Sequence, residues 1–184
     1  MKKKWKLVFS QGLLAGSLAS LLSTAVLALA GRRESGSAAA PLNAVSHWYW
    51  GDEALRQDQA DLAHTAAGYA THHVAATFWA MLYAALASNQ PAMRSTPGLL
   101  LGAVATSATA CVTDFKLTPH RFTPGYEHRL SANALLAVHI ALAIGLAAGA
   151  LALRNQYQDD ERLEDEEPEA PARRIVRHVR AGRS

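Results

Sequence analysis

The sequence predicts an all-α integral membrane protein, a bundle of four transmembrane helices followed by a disordered, charged C-terminal tail. Three observations predict it. Half of the 184 residues are hydrophobic, and they fall in blocks about as long as a bilayer is thick, which a soluble core does not require. The charges lie outside those blocks, near the N-terminus, in the links and above all in the tail, which is why the mean hydropathy is only +0.00. Polar, proline-containing links separate one block from the next. A formal charge of +3 suits an anionic lipid surface and is too small to argue for nucleic acid, for which no motif is present. The lone cysteine, Cys111, sits in an apolar block and excludes an intramolecular disulfide.

The first block follows MKKKWK and runs from Leu7 to Ala30. Its start has the form of a signal peptide, with Ala28-Leu29-Ala30 as a small-residue cleavage pattern, but the run exceeds a signal's usual apolar core and has the length of a spanning helix. Gly12, Gly16, Ser20, Thr24 and Ala28 recur at intervals of four, so small side chains share one row and allow a second helix to approach. Residues 31–63 form a polar connection in which Asp52 is placed to cap a helical stretch. Its His47-Trp48-Tyr49-Trp50 cluster is read as an anchor lying at the headgroup boundary, with an aromatic ligand-gripping patch as the sharper alternative.

The second span, about 64–88, ends at Asn89-Gln90-Pro91, and Pro97 is positioned to start the third, which makes a tight helical hairpin. The third, about 98–115, carries Thr106, Ser107, Thr109 and Thr113, whose hydroxyls bond to carbonyls or to neighbouring helices, and is predicted inside the bundle. Asp114 and Lys116 mark its exit into water. Two Thr-Pro turns and a Pro-Gly precede Ser131, the expected N-cap of the fourth span, about 132–153. Residues 154–184 form the tail, acidic from Asp159 to Glu169 and then basic. Arg173, Arg174, Arg177 and Arg180 would each gain about 1 kcal/mol at an anionic leaflet. The lysines ahead of the first span, Arg94, Arg154 and the basic tail together predict that both termini are cytoplasmic.

Ionisable side chains within a bilayer are functional candidates by default, and here they are histidines. His64, Gly68 and His72 lie at intervals of four along one ridge of the second span. His72 and His139 each sit about eight residues in from the same membrane face, roughly 12 Å deep, so they can share a plane. Such a pair is able to hold a b-type haem through both axial positions, or to contribute to a metal site, with Arg121 and Arg129 as propionate partners and Arg56 as a weaker one. The small-residue rows favour close helix contact and argue against a macrocycle. A proton relay or quinone site is a further reading. The favoured reading is structural: His72, His73 and His139 are neutral and hydrogen bond to Thr71, Thr77, Tyr69 or backbone carbonyls. Asp114, Arg121, Glu127 and His128 of the third-to-fourth loop form a separate, solvent-facing candidate. No zinc-type spacing, HExxH, P-loop, dinucleotide glycine motif or serine nucleophile elbow occurs.

NAVSHWYWGDEA at 43–54 and DFKLTPHRFTPGYEHRLS at 114–131 resemble segments of small four-span inner-membrane proteins of bacteria, a group for which no activity is established. The resemblance covers most of residues 7–153 and not the tail. It implies the span count and a bacterial inner membrane, and it implies no catalytic residues. The expected role is therefore non-enzymatic: a structural, accessory or interaction component whose partners are the lipid bilayer and either a second copy, met through the small-residue rows, or another membrane protein. The alternatives are a haem-b or metal-binding redox protein using His72 and His139, and a carrier of a small solute or a proton.

Overall fold

The computed structural model describes residues 2–154, and the predicted tail beyond Arg154 lies outside them. Six α-helices organise the described residues: α1 (Lys2–Glu34), α2 (Ala40–Val45), α3 (His47–Trp50), α4 (Ala67–Asn89), α5 (Thr96–Val112) and α6 (Ala132–Ala152). No strand occurs among the described residues. The four long helices form a bundle in which α1 packs between α4 and α6, and α5 completes the ring by touching the same two helices from the opposite side.

The interior of the bundle is rich in small residues, Ala15, Ala19, Ala76, Ala80, Ala103 and Ala110 with Ser20, Ser23 and Ser107, packed around Leu27, Leu99, Leu146 and Tyr83, while Leu21, Leu29, Phe78, Leu101, Ile140 and Ile144 face outward. Small residues at the helix contacts and many exposed large apolar ones are the arrangement expected where lipid is the solvent, because helices there gain by close backbone approach. Gly12 and Gly16 meet Met81 and Thr77 of α4, and Gly145 and Gly149 meet Ala19 and Ala15. A methyl group at any of these glycines would overlap the facing residue. The predicted small-residue row is thus used within the chain at Gly12 and Gly16, against α4.

Three helices are both long and apolar enough to cross a membrane: Trp5–Glu34, Thr96–Leu117 and Ala132–Ala152. α4 has the length, with 23 residues, about 34 Å. It is less apolar because His72, His73, Tyr69, Trp79 and Tyr83 lie along it. α5 corrects the expectation of a central third span, since Leu100, Leu101, Val104 and Val112 are exposed. Two of its partners are nevertheless polar: Ser107 Oγ donates to the His139 carbonyl at 2.6 Å, and Tyr83 Oη of α4 donates to the Leu99 carbonyl at 2.7 Å. Interhelical bonds of this kind contribute about 0.6 kcal/mol each.

At one end, here the cap end, the connection 35–66 folds back over the bundle. It does not lie flat as an anchor. Every residue from Ala40 to His47 is buried, and α2 is seated so closely on α4 that a side chain at Gly68 would collide with the Leu42 carbonyl. Asn43, fully buried, donates to the carbonyls of Gln57 and Gln59 at 2.9 Å and accepts from Thr65 Oγ1 at 2.6 Å. That satisfies both ends of its amide, so burial there is not penalised. Asp52 falls in a 3-10 turn, Gly51–Arg56, and caps nothing. The cap is Asp61, whose carboxylate accepts from the His64 amide at 2.7 Å ahead of the π-turn Leu62–Ala66 that leads into α4. Ser131 caps α6 as expected, accepting from the Ala134 amide at 3.3 Å.

Candidate functional site: an intramembrane chamber

Beneath the cap, α1, α4, α5 and α6 enclose a chamber of about 180 Å³. Its polar lining is Ser23 from α1, Thr71 and His72 from α4, Asp114 from the turn after α5, Tyr126 from the next loop, and His139 from α6. Trp48, Trp79 and Phe122 supply aromatic walls, and Trp48 and Phe122 meet edge to face with centroids 5.7 Å apart. The histidines singled out in the sequence, His72 and His139, therefore do come together around one space.

Hydrogen bonding fixes what each group presents. A carbonyl only accepts, so His139 Nδ1, 2.9 Å from the Leu135 carbonyl, carries the ring hydrogen and leaves Nε2 as a bare acceptor. Ser23 Oγ donates to the Ala19 carbonyl at 2.7 Å. Its only hydrogen is then committed, so the 2.8 Å contact with His72 Nε2 is donated by the imidazole, and His72 Nδ1 keeps its lone pair. His139 Nε2 lies 4.0 Å from Asp114 Oδ2. With Asp114 ionised these are two acceptors facing each other across a gap that a donor hydrogen fits. The Tyr126 ring is buried among Phe115 and His72, with centroids 6.2 and 6.4 Å away. Burial pushes its phenol well above the ordinary range, so it stays a hydroxyl and is the chamber's donor.

The remaining predicted residues are placed elsewhere. His64 is held by Asp61, with Nδ1 2.9 Å from Oδ2. His73 packs against Tyr69 with centroids 5.8 Å apart, away from the chamber. Arg121 donates to the carbonyls of His47 and Trp48, both at 3.1 Å, and Arg129 donates to the Leu55 carbonyl at 2.9 Å and pairs with Asp58. Both arginines staple loop 120–129 to the cap, and neither faces the chamber. Of the aromatic cluster, Trp48 lines the chamber and donates Nε1–H to the Thr123 carbonyl at 2.9 Å, whereas Tyr49 and Trp50 are exposed.

A haem does not fit these residues. Pockets for drug-sized ligands run to about 300–1,000 Å³, the chamber is 180 Å³, and the arginines assigned to propionates are committed to the cap. Nor do three His, Cys, Asp or Glu side chains converge as metal ligands among the described residues. Two members of the chamber, Tyr126 and Ser23, escaped sequence reasoning, and Asp114, a candidate for a solvent-facing site, lines the chamber instead. Asp114 ends an apolar helix and reads as an exit into water, yet it is half-buried and faces inward. Tyr126 follows a Pro-Gly turn with no periodic pattern, and Ser23 is one small residue among many in α1. Comparison with protein families, with curated proteins and with solved structures finds no match to the chain.

Proposed function

We propose that this chain is a four-span membrane protein of non-enzymatic role, a small-solute binder or carrier whose chamber receives a hydrogen-bond donor. One observation carries the reading: His139 Nε2 and the Asp114 carboxylate face each other at 4.0 Å as two acceptors in a partly water-excluded space. Buried polar groups need partners, and an N–H or O–H placed between these two supplies one to both. Asp114 supplies the half-buried carboxylate that a carrier of a donor solute or a proton would use. As the fourth span we take α4, on the strength of Val74, Phe78, Leu82 and Leu86, an exposed apolar row at intervals of four that lipid would cover. The proposed location is a bacterial inner membrane with both termini cytoplasmic and the cap on the far side, where the positive-inside bias puts it.

The test is ligand-observed NMR on the full chain in phosphatidylcholine nanodiscs, with phenol and n-butylamine as probes. Saturable binding of at least one, lost in both Asp114→Leu and His139→Leu while their unfolding midpoints stay near the parent's, is the expected result. If neither probe binds, the chamber reading fails. A structural role for the histidines is then favoured, since each already has a partner, His72 in Ser23 and His139 in the Leu135 carbonyl.

A further inference from the structure

The chamber continues into the bilayer. On its hairpin side, toward the α4–α5 turn, an apolar groove of about 970 Å³ runs between α4 and α5, lined by Leu82, Leu86, Met93, Leu101 and Ala105. Trp79 lines both the chamber and the groove, so the two lie side by side along the α4–α5 seam with that indole as their shared wall. The chamber is rich in acceptors. It is lined by one carboxylate, two imidazoles and the hydroxyls of Ser23, Thr71, Thr118 and Tyr126, of which the first three donate to backbone carbonyls, and by aromatic side chains of the kind that attract cations. No lysine or arginine among the described residues lines it: Arg121 and Arg129 are spent on backbone carbonyls and Asp58, and Lys116 is exposed. A phosphate headgroup would find no partner there, whereas an ammonium would find a carboxylate, an imidazole acceptor and an aromatic wall.

We infer that the ligand is a lipophilic amine, its N–H group bridging His139 and Asp114 and its hydrocarbon tail lying in the α4–α5 groove, entered sideways from the membrane. The inference rests on the chamber reading and goes beyond it in two ways, by the charge of the head and by the site of the tail. An ammonium has several hydrogens and can donate to both acceptors at once, which one hydroxyl cannot do as well. Trp79, the wall between the two spaces, is the side chain that such a ligand passes.

The experiment measures Trp fluorescence of the full chain in phosphatidylcholine nanodiscs, with concentrations referred to the lipid phase so that simple partitioning cancels. Four probes separate the claims: octylamine, octyltrimethylammonium, octanol and n-butylamine. Octylamine is expected to bind at least tenfold more tightly than octyltrimethylammonium, which lacks N–H, and than octanol, which lacks charge. Ala105→Trp, which fills the groove, is expected to weaken octylamine at least tenfold and leave n-butylamine unchanged; Leu101→Trp repeats the test should the first variant not fold. Equal binding of octanol and octylamine overturns the assignment of the head. Octylamine binding unmoved by either groove variant overturns the assignment of the tail, and a change in oligomeric state with amine binding intact assigns the groove to a helix instead. In all three cases phenol or n-butylamine binding still stands, so failure here is distinct from failure of the chamber reading.

Discussion

Gly125 is held at φ +87° with its α-carbon against the Ala44 carbonyl and the His47 ring. A side chain there meets strain and collision together, so Gly125→Ala is expected to cost about 2–4 kcal/mol, read as a fall in the unfolding midpoint in detergent. Gly36, also at positive φ but with nothing near it, has only the backbone strain and should lose about 1 kcal/mol. Asp61 gives a pH signature. The His64 amide that it accepts holds its carboxyl below the usual carboxylate range, with further help from the His64 ring and Gln57. A folded-state value below the unfolded one means that its contribution is complete above the ordinary carboxylate range and is lost as pH falls through the lower folded value. The protection factor of the His64 amide, its exchange rate relative to the intrinsic rate at the same pH, should therefore fall only in acid, and Asp61→Ala should remove that pH dependence.

At the scale of the helices, stability depends on backbone approach. Gly145→Ala or Gly149→Ala drives a methyl into the Ala19 or Ala15 backbone, and each is expected to cost about 1–3 kcal/mol, measured by reversible unfolding in mixed micelles. Ile140→Ala, on the lipid face, should stay within about 0.5 kcal/mol. The helices were legible in the sequence because length and apolarity mark them directly, and Ser131, Pro97 and the glycine row announce their ends and contacts. The cap was not. Asn43, Asp61 and Gly68 look like ordinary polar or small residues until α2 is seen seated on α4, and burial by a partner distant in sequence leaves no local periodicity. For the same reason the histidine pair was legible, since each lies at a depth that can be counted, while Asp114 and Tyr126 enter the chamber from turns whose direction cannot be counted.

For the whole molecule, the exterior of leucine, isoleucine, valine and phenylalanine predicts extraction by detergent and not by salt or alkali. Reporter fusions after residues 60 and 125 are expected to read as non-cytoplasmic, and one after residue 93 as cytoplasmic, which tests α4 as a span along with the orientation. A cytoplasmic signal from both of the first two would invert the arrangement. The seating of Ala15 and Ala19 against Gly149 and Gly145 also bears on biogenesis. α1 is claimed in two stages: its Gly12 and Gly16 face by α4, and its Ala15 and Ala19 face only once α6 has been inserted. Chains stalled before residue 145 should therefore hold α1 by its α4 face alone, leaving the other face open to membrane quality-control proteases.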